Sequence, residues 1–413
     1  MFEKRKRQWI TLSVVNLMIV AILGLTLRSK ILFSIPFLDF KHVLHAHSHF
    51  AFGGWVSLAL LTLMSYELLP DTKRAKTINT LLRLITINAF GMLISFIFQG
   101  YGLYSILFST VFIFTTYVYA WIFIKEIKKI SINKTIKLLS TAAVIYMALS
   151  SVGPFTLAYL LAGKSGNIIL YKDAVYTYLH LQYNGFFTMG ILAIMFNKII
   201  KTSVEMNEAR TYSFANMLNI SIIPSLFLCY LWHYPNIPVR IVSIIGALTV
   251  LLSFIQLTIL LKPLNKYANT NSITFKYLFR LSFLALMLKL VLQSLTVFPA
   301  IGEAVFNNRP VIIGFLHLVL LCFVTLYIIA HYIQTGIFKD NGITNLSIIV
   351  FTAGVLINEL VLMVQGLEIM LMTNSVIFTW LLWYAAICLF LGSFLLLIAR
   401  GITIVTEAKK TLH

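Results

Sequence analysis

Residues 42–56 have the sequence HVLHAHSHFAFGGWV, in which four histidines introduce a long apolar segment. On a helix, His42, His45 and His49 would occupy positions i, i+3 and i+7 and share one face, whereas His47 would point to the opposite side. Histidine is rare inside a membrane unless it has a partner there. Since neutral imidazole is the commonest protein ligand for metals and a common one for haem iron, this segment predicts a buried helix with a ligand-binding role.

The composition around this segment is that of a polytopic membrane protein. Hydrophobic residues make up 60% of the 413 residues and charged residues only 11%. Twelve apolar stretches are long enough to cross a bilayer, which takes about 20 residues each. The predicted fold class is therefore all-α, a single transmembrane bundle of twelve helices over residues 1–413, without a soluble domain or a cleavable signal peptide. The expected spans are 9–29, 43–65, 78–98, 101–124, 137–161, 174–197, 213–232, 240–261, 276–298, 311–331, 344–366 and 376–399.

The basic residues alternate between the two sides of this predicted bundle. Most of the 32 Lys and Arg residues fall on the side of the N-terminus, as in the basic run at residues 4–7. The positive-inside rule then predicts a multi-pass protein of the bacterial inner (cytoplasmic) membrane with both termini in the cytoplasm. The formal net charge of +19 is explained by this topology and by contact with anionic membrane lipid, and no nucleic-acid partner is expected.

Three histidines are predicted to lie at one depth. His49, His180 and His317 each stand six residues inside the outer end of their predicted helix, roughly 9 Å at 1.5 Å per residue. Glu359, the only acidic residue inside a predicted span, lies roughly 10 Å deep from the same side. The remaining histidines near this end, just above the layer, are His42, His45, His47 and His233. A layer of imidazoles at one depth favours a bound haem or metal.

Other interpretations of these polar residues stay open on the sequence alone. A membrane histidine can serve only as an interhelical hydrogen bonder, an interaction worth about 0.6 kcal/mol. Glu359 can be a protonated packing residue. Lys289, inside the predicted ninth helix, is a candidate with Glu359 for a proton path, or its amine can simply bond to a neighbouring helix.

The topology and the local sequence resemble a known family. Residues 45–57, HAHSHFAFGGWVS, are similar to the H-x-H…G-W segments found in subunit I of the haem–copper oxidase superfamily and in its short relatives. That superfamily includes cytochrome c oxidases and the large subunit of nitric oxide reductases. The resemblance covers nearly the whole chain in topology, through helices two, six, seven and ten, but in sequence only these short motifs.

The resemblance implies a set of ligands. In the family, a low-spin haem is held by one histidine of helix two and one of helix ten, which correspond here to His45 or His49 and to His317. The copper ligand of helix six corresponds to His180, and the only match on helix seven is His233. His180 with His42 or His45 is the candidate set for a second metal or an open-site haem, and His47 is a further candidate metal ligand.

The sequence departs from the family pattern at the second centre. Helix seven of the family carries two adjacent histidines, and here His233 is alone at the helix end. Helix ten of the family carries two haem ligands, and here only His317 is in place. Asn184 stands where the family has a tyrosine one turn beyond the helix-six histidine. A standard haem–copper centre is therefore not expected, and no catalytic residue is predicted.

The expected function is that of a haem-binding membrane redox protein with one or two b-type haems, copper being a further candidate. Oxygen or nitric oxide chemistry at the divergent second site would make it an oxidoreductase similar to a terminal oxidase or a nitric oxide reductase. An electron donor protein or a quinone, and other respiratory subunits, would be its partners. The competing hypothesis is a secondary transporter or channel that uses the histidine and glutamate layer for protons or a divalent metal. A membrane assembly factor whose histidines only form hydrogen bonds is the third.

Overall fold

The computed structural model describes residues 2–69, 75–306, 308–339, 341–370 and 375–410, and this part of the chain is helical without β-strands. Eleven of its helices are long and apolar enough to cross a membrane, which confirms an all-α multi-pass membrane protein. The helix at residues 168–199 is of comparable length but is not one of these eleven. The helices are α1 (Phe2–Leu32), α2 (Phe40–Glu67), α3 (Ala75–Gln99), α4 (Leu103–Ile127), α5 (Lys134–Ala162), α6 (168–199), α7 (Glu208–Tyr230), α8 (Ile237–Asn269), α9 (Ile273–Leu295), α10 (Arg309–Gln334), α11 (Gly342–Met370) and α12 (Ile377–Lys410), with a short helix, Pro299–Phe306, before α10.

Each of the twelve predicted spans overlaps one of these helices, but three helices important for the site begin earlier than expected. Helix α2 begins at Phe40, α6 at Ile168 and α10 at Arg309, rather than at residues 43, 174 and 311. Polar N-cap residues set these starts: Asp39, Asn167 and Asn308 each accept a backbone N–H from the first turn. The hydrogen bond from the backbone of His42 holds the pKa of the Asp39 carboxyl below its ordinary value.

The helices form a closed series of neighbours, and three of them also contact one another at its centre. Consecutive helices pack against one another, and α1 packs against α12 to close the ring. Helices α2, α6 and α10 lie inside it and contact one another. Among the other helices, extensive contacts join α3 to α4, α7 to α8 and α11 to α12. The chain therefore repeats one arrangement three times, in which the second of four helices is the inner one, although the sequence contains no recognisable repeat.

Each inner helix contains a π-helical segment that begins directly after a histidine of the predicted layer. These segments are Phe50–Ser57, Leu181–Phe187 and Leu318–Thr325, and they follow His49, His180 and His317. The segment of α10 packs against those of α2 and α6. The three histidines thus occupy equivalent positions at one end of the bundle, which we call the histidine end. Because π-helical turns are rare and occur frequently at functional sites, the histidine end is the candidate site.

Hydrogen bonds fix the inner helices to each other and to α1. The indole Nε1 of Trp55 donates to the hydroxyl of Thr325 at 3.0 Å, which joins the π-helical segments of α2 and α10. The side chain of Asn16 on α1 donates to the backbone carbonyl of Gly54 at 2.6 Å. All four residues are buried. These bonds hold α1, α2 and α10 together just below the histidine end.

Candidate functional site

His47 is the histidine of α2 that faces α1. Its Nδ1 lies 3.1 Å from the backbone carbonyl of Val20, and a carbonyl accepts, so Nδ1 carries the proton. Nε2 of the same ring then has a free lone pair. A Cβ added to Gly24 would lie 3.3 Å from Cε1 of His47, so the glycine makes room for the ring. A histidine whose Nδ1–H is bonded to a backbone carbonyl is oriented as metal-ligating histidines commonly are.

His317 lies on α10 and faces the same region. Its Nδ1 is buried and has no hydrogen-bond partner among the described residues. His317 is close enough to His47 and to Arg28 to interact with both electrostatically. The unpaired Nδ1 leaves one ring nitrogen of His317 available to a ligand.

Arg28 interacts electrostatically with both histidines and lies near Arg309, and neither arginine has an acidic counterion among the described residues. Arg28 on α1 and Arg309 at the start of α10 are close enough to repel each other. Neither forms an ion pair with any acidic residue in the described ranges. Arg28 is half-buried, so its charge is not fully neutralised by water. Two guanidinium groups without acidic partners at the histidine end favour binding of an anion. Guanidinium groups bind carboxylates particularly well.

The other histidines of α2 face away from this pair. The ring of His49 stacks on Phe96 with centroids 4.4 Å apart, and its Nε2 lies 3.1 Å from the hydroxyl of Tyr101. His45 contacts Tyr101 edge-on at 4.5 Å. His42 covers Gly100, where φ is +58° and a Cβ would lie only 2.6 Å from the imidazole. His42, His45 and His49 therefore share one face, as the sequence predicts, but that face packs against the α3–α4 connection.

The side chains around His47 and His317 fit a haem with two histidine ligands. His47 and His317 come from α2 and α10, one with Nε2 free and the other with Nδ1 unpaired. Arg28 interacts electrostatically with both histidines and lies near Arg309, so a cofactor with carboxylates bound here would find positive charge close by. The sequence assigns the α2 ligand to His45 or His49, and this stays a prediction; in the structure, His47 is the α2 histidine that interacts electrostatically with His317. Which of the α2 histidines faces α10 depends on which side of α2 packs against α1. A local sequence pattern does not contain that information.

His180 faces the other side of α10, and both of its ring nitrogens are occupied. Its Nε2 donates to the carbonyl of Ile222 at 2.8 Å, and its Nδ1 accepts from the amide of Asn184 at 3.1 Å. Ser225 lies 3.5 Å from Nε2. Copper binding through His180 would have to displace one of these bonds, so the predicted copper role stays a prediction that the geometry does not favour.

A cavity of about 410 Å³ adjoins His180 and lies between α6, α7, α9, α10 and α11. Glu359 lines it, with one carboxyl oxygen accepting from Asn358 at 3.0 Å. Gln293 also lines it, and both of its amide atoms are buried without a partner among the described residues. Lys289 lies one turn from Gln293 on α9, is 2% exposed and interacts electrostatically with His180. Glu359 and Lys289 thus belong to one region, and their role in proton transfer stays a prediction.

His233 forms a hydrogen bond that joins the connection after α7 to α6 at the histidine end. Its Nδ1 lies 2.7 Å from the carboxylate of Asp173, and both side chains are largely buried. The predicted metal-binding role of His233 stays a prediction. In the described part of the chain, no group of three or more His, Cys, Asp or Glu side chains is arranged to hold a metal ion.

A second polar cluster lies at the opposite end of the same inner helices, and the sequence analysis did not find it. Glu67 ends α2, and its carboxylate lies 2.9 Å from Lys6 of α1, 2.8 Å from His331 of α10 and 3.6 Å from Lys198 of α6. The side chain of Glu67 is 3% exposed and that of His331 is not exposed. The predicted second span ended at residue 65, which placed Glu67 in a loop. The only available signal was that Glu67, Lys198 and His331 each lie near the same end of a predicted inner helix.

Comparison of the sequence with known protein families finds no matching family, and no curated protein matches it. The resemblance to haem–copper oxidase subunit I therefore stays a hypothesis based on the motifs, the helix order and the histidine positions.

Proposed function

We propose that this protein is a haem-binding redox protein of the bacterial cytoplasmic membrane and a divergent relative of haem–copper oxidase subunit I. It would have twelve transmembrane helices and both termini in the cytoplasm. The observation that best supports the proposal is the orientation of His47, whose Nδ1 bonds to the carbonyl of Val20 and leaves Nε2 free, in electrostatic reach of His317 with its unpaired Nδ1. Support also comes from the three inner helices, each with a π-helical segment directly after a histidine.

The proposed haem is of the b type, since the chain has no C-x-x-C-H motif for covalent attachment. His47 and His317 would hold it, and Arg28 and Arg309 would neutralise its propionates. Val20 would fix the proton of His47 on Nδ1 through its carbonyl, which leaves Nε2 for ligation. A haem with two histidine ligands supplies single-electron transfer and has no open position for a substrate.

A haem held by His47 and His317 would transfer electrons and would not reduce oxygen or nitric oxide. The second centre of the family would lie on the other face of α10, where Phe315 and Gly314 line the cavity and His180 is already bonded on both nitrogens. We therefore propose a single haem. An electron donor or acceptor in the membrane or in another respiratory subunit is then required, since the inner and outer loops are short.

The test is a reduced-minus-oxidised visible spectrum of the purified protein in detergent, with iron and copper quantified on the same sample. We expect one haem b per chain, lost in both His47→Ala and His317→Ala. His45→Ala and His49→Ala are matched controls on the same helix, and we expect them to retain the haem.

Two results would reject the proposal. A protein that is colourless and free of iron after expression with excess haem would favour the transporter hypothesis. Loss of haem in His49→Ala, with full retention in His47→Ala, would return the ligand to the face that the sequence predicted and contradict the geometry described above.

A further inference from the structure

The cavity between α6, α7, α9, α10 and α11 is separate from the pair His47 and His317, neither of which lines it. Its volume of about 410 Å³ falls within the range of roughly 300–1,000 Å³ that is common for small-molecule sites. Its walls are mainly apolar, and each of the five helices contributes at least one leucine to them. A ligand that fills this space is therefore largely hydrocarbon.

The cavity opens sideways, toward lipid. Among the described residues, α9 and α11 both pack against α10 but make no extensive contact with each other. Leu292 of α9 and Leu360 of α11 line the cavity and are 39% and 58% exposed. Both leucines lie within helices long and apolar enough to cross a membrane, so their exposed faces meet hydrocarbon. A ligand with an acyl tail can thus enter from the bilayer between α9 and α11.

Gln293 gives this apolar cavity a polar group that lacks a partner. The residue lines the cavity and is 7% exposed. Neither its amide nitrogen nor its amide oxygen has a hydrogen-bond partner among the described residues. A buried amide without partners is unfavourable, and it is satisfied only by a ligand that accepts from its nitrogen and donates to its oxygen.

A carboxylic acid has the donor and the acceptor that this amide requires. Its hydroxyl can donate to Oε1 of Gln293 while its carbonyl oxygen accepts from Nε2, which closes a ring of two hydrogen bonds. An ester has acceptors but no donor. An alcohol has a single oxygen, which cannot pair with both amide atoms in this way. The unpaired amide therefore favours a lipid whose head group is a free carboxyl group.

Lys289 also favours an acid over other head groups. It lies one turn from Gln293 on the same face of α9 and is 2% exposed. Its amine has no acidic partner among the described residues. A carboxyl group beside Gln293 would provide that partner. Wherever the proton resides, on the carboxyl group or on the amine, the pair carries no net charge, which suits an apolar cavity.

We propose that this cavity binds a long-chain fatty acid, with its carboxyl group at Gln293 and Lys289 and its tail directed between α9 and α11 to the bilayer. Two polar side chains on successive turns of one helix, both buried beside an apolar cavity, are matched by this one head group. The site does not include His47, His317 or the arginines, so it does not depend on the proposed haem.

The experiment is native mass spectrometry of the full chain, purified in detergent, freed of lipid and titrated with oleic acid. We expect a saturable adduct of one oleic acid per chain. Methyl oleate and oleyl alcohol have the same tail but lose at least one hydrogen bond to Gln293, so we expect each to bind about tenfold more weakly. Equal binding of methyl oleate would overturn the proposal, since it would indicate an acyl-chain site that does not recognise the carboxyl group. Adducts that do not saturate would also overturn it.

Substitutions on α9 locate the carboxyl group. Gln293→Leu and Lys289→Met, which roughly keep the side-chain volumes, should each weaken binding of oleic acid by about tenfold. Gln8→Leu is the matched control, because Gln8 is exposed at the opposite end of the bundle. Glu359→Gln should bind oleic acid at least as tightly as the wild type, because it removes a second carboxyl group from the cavity. Equal binding by Gln293→Leu and the wild type would overturn the proposal.

Thermal unfolding separates a binding role of Gln293 from a structural one. Because its amide has no partner, Gln293→Leu should be at least as stable as the wild type without ligand, and added oleic acid should stabilise only the wild type. A Gln293→Leu protein that is less stable than the wild type without ligand would show that the amide is structural and would overturn the assignment of the head group.

The variant His317→Ala tests whether the two sites are separate. We expect it to bind oleic acid as the wild type does while it loses haem. Loss of both ligands in this variant would contradict a separate fatty-acid site. A wild-type protein that contains haem but does not bind oleic acid would reject this proposal and leave the proposed function in place.

Discussion

The buried cluster around Glu67 provides a quantitative test of the packing of the inner helices. Among the described residues, the carboxylate of Glu67 is the only acidic partner of Lys6 and His331. It lies 2.9 Å from Lys6 and 2.8 Å from His331. Lys6 is 9% exposed and His331 is not exposed. The substitution Glu67→Gln would keep the shape of the side chain and leave the ammonium group of Lys6 without its counter-charge inside the bundle.

The expected loss follows from this burial. Removing one partner of a buried ion pair costs about 3–5 kcal/mol, because the remaining charge is left unpaired. Glutamine keeps an oxygen that can accept from Nε2 of His331, which places the expected loss near the lower end, about 3 kcal/mol. Lys198 is 28% exposed and 3.6 Å away, so its contribution should stay below about 1 kcal/mol.

The assay is unfolding of the detergent-purified protein by increasing denaturing detergent, followed by tryptophan fluorescence. Glu205→Gln removes an exposed carboxylate and should change the apparent free energy of unfolding by less than about 0.5 kcal/mol. The double variant with Glu67→Gln and Lys6→Met removes both charges and should regain most of the loss. The reasoning fails if Glu67→Gln is as stable as Glu205→Gln, or if the losses of the two single variants simply add.

Three further predictions concern the histidine end. Gly24→Val should lower haem occupancy, because the valine side chain would enter the space of the His47 ring. Gly401→Val is the control, since Gly401 has open space around it and its substitution should leave haem occupancy unchanged. The iron content per chain measures the haem occupancy of both variants. Arg28→Gln should lower the midpoint potential of the haem in a redox titration, since a nearby positive charge favours the reduced form, and an unchanged or higher potential would exclude the proposed position of the propionates. The lowered pKa of Asp39 means that its carboxylate stabilises the start of α2 above the ordinary pKa of 3.8 and that this contribution is lost as the pH falls through the lowered value. Asp39→Asn, which still caps the helix, should therefore lose less stability than the wild type in acid unfolding, and parallel curves would contradict this.

The fold class could be predicted from the sequence because apolar length and charge alternation are local signals. The shared face of His42, His45 and His49 was also predictable, since it depends only on helical spacing. Which face of α2 meets α10 was not, because it depends on the packing of α1 and α10 against that helix. The spacing places His47 opposite the other three, and the structure places His47 near His317.

The polar residues of the cavity and of the Glu67 cluster show a second limit of the sequence. Glu359 and Lys289 were identifiable because a charge inside an apolar stretch is conspicuous. Gln293 gives no such signal, and its importance depends on the absence of partners, which only the tertiary structure reveals. Glu67 lies just beyond an apolar stretch, and its partners come from helices that are distant in the sequence.

The closed ring has a consequence for the connectivity of the chain. Helices α1 and α12 pack side by side, and Arg400 donates to the hydroxyl of Thr11 at 3.0 Å across their contact. The order of the helices around the ring therefore does not require the chain to start at α1. A circular permutant that joins α12 to α1 through a flexible linker and opens between α4 and α5, at the exposed Ser131, would present the same neighbours to every helix. Two separately expressed pieces divided there would carry complementary surfaces for assembly in the membrane.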